Sequence, residues 1–243
     1  MIFLALAADY DGTLARDGRV DATTTEALRR LRSTGRRLIL VTGRHLEDLR
    51  RAFDALGLFD AAVVENGALV FFPQTERVLQ IGAAPPPALI RALQNKGVED
   101  FSVGRGIVST SEAHQTAVFE AIRELNLDWQ VIFNKGAAMV LPAGVDKGAG
   151  LKTALAELGV SRHSVVGIGD AENDQPFLSI CGCSVAVANA LPAVKASVDM
   201  VTTADDGVGA TEFIERWLDE GDRLFAQSIR RDAAPGETAD PAI

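Results

Sequence analysis

The chain has 243 residues, 47% of them hydrophobic, which is enough to bury a substantial core. Acidic residues outnumber basic ones by 33 to 24, and the formal net charge is −9. This balance argues against a nucleic-acid-binding protein, because binding the phosphate backbone depends on clustered cations. An acidic protein can still bind a small phosphorylated metabolite where a metal ion and a lysine lie at the site.

The N-terminal apolar segment, residues 2–8, fits a buried strand better than a signal peptide, since no basic residue precedes it and acids follow at once. No stretch approaches the roughly 20 apolar residues that a membrane span needs. Cys181 and Cys183 are one residue apart, and a disulfide at that spacing would be strained. We therefore predict a cytoplasmic protein with reduced thiols and no membrane partner. The sequence leaves its oligomeric state open.

Apolar runs of strand length alternate with segments of helical period, a pattern typical of α/β folds with a parallel sheet. In chain order the first part predicts strand 2–8, helix 21–34, strand 36–43, helix 46–56 and a strand pair within 61–72 that turns at Asn66-Gly67. The prolines within residues 83–87 then break the pattern, as at a domain boundary.

After this break the order changes to that of a small α+β module. It predicts helix 87–96, strand 105–110, helix 112–125 and a hairpin of strands 129–133 and 137–141. The first pattern then resumes with helix 146–158, strand 164–170, helix 174–180, strand 184–188, helix 191–197, strand 199–202 and helix 209–218. We predict an α/β fold with three parts: a Rossmann-like parallel-sheet core (1–82 and 143–222) flanked by helices, an inserted α+β cap (83–142), and a disordered polar tail (223–243).

The first strand ends in two acids, Asp9 and Asp11, followed by Gly12. Residues i and i+2 of an extended segment point to the same side, and open α/β sheets bind ligands at the carboxyl ends of their strands. Two close carboxylates are tolerated where a divalent cation binds them, or where one is protonated and acts as an acid or base. An acidic turn is the alternative explanation.

Two further segments place groups suited to an anion at the same edge. Thr42-Gly43-Arg44 ends the second strand with a hydroxyl and backbone N–H groups, although a capping threonine fits as well. Lys147 begins a helix, where a cation opposes the macrodipole. A bound phosphoryl group would explain this lysine; a solvated side chain is the alternative. The GAGLKT that follows has the wrong register for a phosphate-binding P-loop.

The fourth segment, GIGDAEND at residues 167–174, follows another buried strand. It lacks the third glycine of a dinucleotide fingerprint. Three acids and an amide, among them Asp170, Asn173 and Asp174, suit a hard cation with oxygen ligands. Asp174 could instead cap the following helix.

In combination these segments resemble the motifs of the haloacid dehalogenase-like phosphohydrolases, in that family's order. They are DYDGT at 9–13, VTGR at 41–44, VDKG at 145–148 and GDAEND at 169–174, and the likeness extends from residue 1 to about 220. The insert follows ENGA at 65–68 and lies between the second and third motifs. Its position resembles the subfamily with a type-two α+β cap, which includes sugar phosphatases, phosphoglycolate phosphatases and phosphomannomutases.

The resemblance implies that Asp9 attacks phosphorus to form an aspartyl phosphate, while Asp11 protonates the leaving oxygen and then deprotonates water. It also implies Mg²⁺ bound by Asp9, the Asp11 carbonyl and Asp170, with Asp174 as a further ligand or a neighbour of the ligands. The residues implied to bind substrate or phosphate are Thr42, Gly43, Arg44, Lys147 and Asn173.

The insert is implied to act as a lid that excludes water and selects the substrate. Its candidate contacts are Arg105, the segment 109–111 and Asn134-Lys135; Arg105 and Lys135 could meet a carboxylate of the substrate. Two alternatives to hydrolysis stay open. One is phosphoryl transfer to a sugar, and the other is a non-catalytic phosphate-binding regulator, against which the presence of both Asp9 and Asp11 argues.

Overall fold

The computed structural model describes residues 2–225 of the chain. Its strands are β1 (Ala5–Asp9), β2 (Arg37–Val41), β3 (Ala61–Val64), β4 (Leu69–Phe72), β5 (Arg77–Gln80), β6 (Phe101–Val103), β7 (Val108–Ser111), β8 (Trp129–Asn134), β9 (Ala137–Pro142), β10 (Val165–Gly169), β11 (Cys183–Ala186) and β12 (Met200–Val201). Its helices are α1 (Ala22–Ser33), α2 (Leu46–Ala52), α3 (Pro87–Asn95), α4 (Gln115–Glu124), α5 (Lys147–Leu158), α6 (Gln175–Leu178), α7 (Pro192–Ser197) and α8 (Asp206–Glu220).

An eight-stranded sheet forms the core, in the order β12-β11-β10-β1-β2-β3-β4-β5. The strands from β12 to β3 are parallel, and β4 and β5 add an antiparallel edge. Every residue of β1 is buried, as expected for a central parallel strand with both faces covered. The predicted α/β fold with a Rossmann-like sheet is confirmed.

Sheet register brings the ends of three strands to one level. Asp9 of β1 pairs with Val41 of β2, and Ala8 pairs with Ile168 of β10. Thr42 and Asp170 therefore follow β2 and β10 beside Asp9, which assembles the first, second and fourth motifs at one sheet edge.

Helix α5 brings the third motif to this edge. Asp146 is its N-cap and accepts the Ala149 N–H at 2.8 Å, so that Lys147 becomes the first helical residue. The turn after β3 supports this end of the helix: Gly67 has a φ of 103°, and a Cβ there would lie 1.8 Å from the Asp146 carbonyl oxygen. Gly159, left-handed at φ 66°, ends α5.

The insert forms a separate antiparallel sheet, in the order β6-β7-β9-β8. Helices α3 and α4 pack on it over a small core of their own, which consists of Leu89, Leu93, Val98, Val108, Val118, Ala121 and Val140. The predicted strand 105–110 is confirmed only over residues 108–110, which belong to β7; the chain bends at residues 104–106, and an unpredicted strand, β6, precedes the bend.

Other predicted boundaries also differ. Strand β5 was not predicted, and the helix predicted over 46–56 ends at Ala52, with a 3-10 turn (Asp54–Leu58) after it. Ordered structure continues through Phe225, three residues into the predicted tail, because the Phe225 ring packs 4.4 Å from that of Phe3. Residues 226–243 of the predicted tail lie outside the described residues. Within residues 2–225, no helix combines the length and the hydropathy needed to cross a bilayer.

Candidate active site

Three carboxylates from distant parts of the sequence meet at the sheet edge. Asp9, Asp170 and Asp174 are all buried, and one oxygen from each lies within 4.8 Å of the others. Burial disfavours ionised carboxylates, and their mutual repulsion adds to that cost. Such a cluster therefore requires compensating positive charge.

Lys147 supplies part of that charge. Its Nζ donates to Asp9 Oδ1 at 2.6 Å and to Asp174 Oδ1 at 2.5 Å, and its side chain is only 2% exposed. Burial alone would lower the pKa of Lys147, but the two carboxylates raise it above the ordinary lysine value, so the ammonium stays charged. The solvated side chain considered for this lysine was wrong.

The second carboxylate oxygen of Asp9 is unpaired in the described part of the chain. Asp9 Oδ2 is buried and has no hydrogen-bond partner within residues 2–225. Burial, with the neighbouring charge of Asp174, raises the pKa of Asp9 to about 8 despite the opposing effect of Lys147. A buried acceptor of this kind calls for a ligand, and a divalent cation or the phosphorus of a substrate would meet that need.

Asp170 faces a second cation, which comes from the insert. Lys135, in the turn between β8 and β9, donates to Asp170 Oδ2 at 2.8 Å and to the Asp11 carbonyl oxygen at 3.1 Å. Thr13 Oγ1 donates to Asp170 Oδ1 at 3.4 Å. The oxygens predicted to bind Mg²⁺ thus attract a positive charge in this structure. An all-oxygen donor set is what Mg²⁺ prefers, so the residues fit this metal.

Asp174 has both of its oxygens engaged. Oδ2 accepts the N–H groups of Asp170 and Ala171, each at 2.9 Å, and Oδ1 accepts from Lys147. These donors precede Asp174, and its side chain makes no capping bond to α6, so the helix-cap alternative was wrong. The geometry favours Asp174 as a brace for the Asp170 loop over a direct metal ligand.

Asp11 and Arg44 form a two-pronged ion pair. Arg44 Nε and Nη2 donate to the two Asp11 carboxylate oxygens at 2.7 Å each, and the guanidinium lies over the Tyr10 ring. The Asp11 carboxylate raises the pKa of Arg44 further. The structure thus places Arg44 on Asp11, while the roles of both residues toward a substrate stay predictions.

A cavity of about 340 Å³ lies over these groups. Thr42, Gly43 and Asn173 line it together with Asp9, Asp11, Arg44, Lys147 and Asp170. Asn173 donates its amide to Asn66 Oδ1 at 3.1 Å, and its own Oδ1 has no partner in the described part of the chain. Of the motif residues predicted for the site, Asp174 is the one that does not line the cavity, because it is fully buried beneath the others.

Known proteins resemble this chain in sequence and in fold. A model of the haloacid dehalogenase-like hydrolase family matches residues 6–96 and 93–214. The chain belongs to this family. It is 30% identical over 221 residues to a phosphoglycolate phosphatase of Methanothermobacter thermautotrophicus, covering 88% of this chain and 98% of that protein. It is 29% identical to phosphoglycolate phosphatase 2 of Saccharolobus solfataricus, covering 88% and 92%.

Among solved structures, a sugar phosphatase of subclass IIB of the haloacid dehalogenase-like family has the same fold. The TM-score is 0.71 at 21% identity, covering 89% of this chain and 98% of that chain. The predicted family and the enzyme class of phosphatase are confirmed, and the IIB sugar phosphatase shares the predicted fold.

In this haloacid dehalogenase-like chain the insert contributes Ser102, Ser109 and Asn134 to the cavity. Arg105 lies outside it, in an adjoining groove, and Thr110 turns away to donate to the Asp100 carbonyl. His45 and Ser102 were missed. His45 directly follows the second motif and could have been considered, whereas Ser102 lies on β6, a strand that the sequence did not predict.

Proposed function

We propose that the chain is a Mg²⁺-dependent phosphatase that hydrolyses a small phosphomonoester through an aspartyl phosphate formed on Asp9. The observation that carries this proposal is the state of Asp9. One carboxylate oxygen is held by Lys147, while the other is buried at the cavity without a partner in residues 2–225. A carboxylate that is fixed through one oxygen and has no hydrogen-bond partner at the other suits a nucleophile.

Asp9, Asp170 and the Asp11 carbonyl would hold Mg²⁺, which would stabilise negative charge on the transferring oxygens. Lys147 neutralises charge on the nucleophile and on the phosphoryl group it receives. The Thr42 hydroxyl, the Gly43 N–H and the Asn173 amide line the cavity and would bind phosphoryl oxygens.

Asp11 would act as the general acid and then as the general base of the reaction. Its side chain is 43% exposed and Arg44 holds both of its oxygens, so the carboxyl group is fixed at the cavity. In the proposed reaction it protonates the leaving oxygen and later deprotonates the attacking water. Arg44 orients the Asp11 carboxyl group at the cavity through these two hydrogen bonds.

The insert would act as the lid of a core formed by residues 1–82 and 143–222, with the cap at 83–142. Ser102, Ser109 and Asn134 of the insert line the cavity and support this role. The relatives named as phosphoglycolate phosphatases favour a small acid phosphate as substrate, with a sugar phosphate as the second class. A cytoplasmic location and the absence of nucleic-acid and membrane partners stay predictions.

A phosphate-release assay on the full chain tests the proposal, with a panel of small phosphomonoesters, with Mg²⁺ and with EDTA. We expect Mg²⁺-dependent release of inorganic phosphate. Release unaffected by EDTA would contradict the metal requirement. Transfer of the phosphoryl group to an added sugar, without free phosphate, would point to a phosphotransferase.

Lys135→Met is expected to tighten Mg²⁺ binding about tenfold, because it removes an ammonium that competes for Asp170 Oδ2 and the Asp11 carbonyl. Calorimetric titration of the full chain with MgCl₂ measures this directly. Lys96→Met is the matched control, since Lys96 is another lysine of the insert and pairs with Glu120 and Glu124. Equal affinity in the native chain and in Lys135→Met would contradict the competition.

A further inference from the structure

His45 lies where the core meets the insert. It immediately precedes α2, and its Nε2 is 3.1 Å from the Oγ of Ser102 on β6. Both side chains line the cavity that contains Asp9. The imidazole is 19% exposed, so one part of it is packed and another part reaches solvent in the cavity.

The opposite ring nitrogen faces a buried carboxylate. His45 Nδ1 is 3.8 Å from Glu65 Oε1, and the Glu65 side chain is only 3% exposed. Glu65 Oε2 accepts the N–H of Gly106 at 2.8 Å, which fixes the carboxylate against the insert. Glu65 therefore lies on the Nδ1 side of the imidazole, within ion-pair distance, while Nε2 points toward Ser102.

The loop between β6 and β7 covers this pair closely. A Cβ on Gly104 would lie 2.5 Å from Glu65 Oε2 and 2.6 Å from His45 Nδ1. Only glycine permits the backbone to approach so near to Glu65 and His45. The Glu65–His45 pair is therefore packed at the junction between the core and the insert.

The other cationic side chains at the cavity are already paired with carboxylates. Among the described residues that line it, the basic side chains are Arg44, His45 and Lys147. Arg44 is bound to Asp11, and Lys147 is bound to Asp9 and Asp174. On its cavity side His45 meets a neutral hydroxyl, which can accept from the imidazole and still donate to a ligand.

We propose that His45 Nε2 and Ser102 Oγ form the subsite for a carboxylate on the leaving group of the substrate, with Glu65 as a positioning residue for the imidazole. This inference rests on the proposed function and narrows its substrate class to small phosphomonoesters that carry a second, carboxylic acid group. The sequence suggested Arg105 and Lys135 as the contacts for that carboxylate, and the proposed contact is now His45.

The charge of His45 agrees with an anionic ligand. The contact with Glu65 raises the pKa of His45 above the ordinary histidine value, against the effect of burial, and Asp48 raises it further. The charged groups that share its surroundings are Glu65 after β3, Glu47 and Asp48 on α2, Arg105 in the β6–β7 loop, and Asp11 and Arg44 at the cavity. Below this raised pKa both ring nitrogens donate, and a carboxylate that enters between His45 and Ser102 would accept the Nε2 hydrogen that now points at Ser102 Oγ.

Steady-state kinetics test the subsite with two substrates. One is phosphoglycolate, and the other is ethyl phosphate, which lacks the carboxylate. His45→Phe is expected to raise KM for phosphoglycolate about 10- to 100-fold, as for loss of a hydrogen bond to a charged group. KM for ethyl phosphate and kcat for both esters should change less than about threefold. His45→Gln, which keeps a neutral donor near the Nε2 position, should recover part of the loss. A purely structural role would move both substrates together.

The pH profile gives a second readout. In the native chain, KM for phosphoglycolate should rise as pH passes above the raised pKa of His45, because the imidazolium is present below that pKa and lost above it. Ethyl phosphate and the His45→Gln variant should lack this rise. His114→Phe is the matched control, since His114 pairs with Asp100 at 2.6 Å, apart from the cavity, and both profiles should stay native.

Failure of this subsite is separable from failure of the proposed function. If the native chain hydrolyses both esters but His45→Phe raises the two KM values equally, the subsite is overturned and the phosphatase stands. If neither ester is hydrolysed, calorimetric binding of phosphoglycolate to the Mg²⁺-loaded chain decides. Affinity at least tenfold weaker in His45→Phe supports the subsite, and equal affinity overturns it.

Discussion

Replacement of Asp9 by asparagine is expected to abolish phosphate release while the protein stays folded. The amide cannot attack phosphorus, and loss of a covalent nucleophile typically costs at least about 10³-fold in kcat. The fold should persist because the amide has nearly the same shape. The substitution also removes a carboxylate whose ionisation is disfavoured, since burial and the charge of Asp174 raise its pKa. Initial rates with and without Mg²⁺ measure the loss, and thermal unfolding checks the fold.

Asp60→Asn is the matched control for Asp9→Asn. Asp60 is also a buried aspartate with a basic partner, Arg37, and it accepts the Leu38 N–H near the opposite end of β2. This variant should lose some stability yet keep kcat within about twofold of the native value. Native activity in Asp9→Asn would remove the nucleophile and with it the proposed mechanism. Loss of activity in both variants would indicate a general structural effect.

The sheet and its active edge could be predicted because the relevant signals are local. The three strands that carry Asp9, Thr42 and Asp170 are apolar runs that end abruptly in polar residues, and parallel strands place such ends together. Lys147 was predictable by a different route, since a lysine at a helix start opposes the dipole and its position must be stabilised by something else.

The parts that escaped prediction depend on contacts between distant segments. Strand β6 is short and partly exposed, and only its pairing with β7 defines it. Lys135 reaches Asp170 across 35 positions because the insert rests on the core, which no local pattern encodes. The same docking places Ser102 beside His45 and Gly106 beside Glu65, so the leaving-group end of the site could not be read from motif spacing.

Lys147→Met is expected to reduce both activity and stability. The methionine fills similar space but leaves Asp9 and Asp174 buried without their shared countercharge. Breaking a buried ion pair by removing one partner costs about 3–5 kcal/mol of unfolding free energy, and loss of a preorganised charge at the phosphoryl group costs about 10²–10³-fold in kcat. Urea unfolding at a pH above the raised pKa of Asp9, where its carboxylate is ionised, and steady-state kinetics measure the two effects, with Lys152→Met, an exposed lysine of the same helix, as the control.

A double variant separates electrostatics from packing in this prediction. If the uncompensated charge of Asp9 destabilises Lys147→Met, then Asp9→Asn/Lys147→Met should be more stable than Lys147→Met alone, since it contains one buried carboxylate fewer. If the damage comes from poor packing of the methionine, the second substitution should leave the unfolding free energy unchanged or lower it. An unfolding free energy of Lys147→Met equal to the native value would show that this buried lysine does not neutralise the carboxylates around it. The role proposed for Lys147 toward the phosphoryl group would then lose its physical basis.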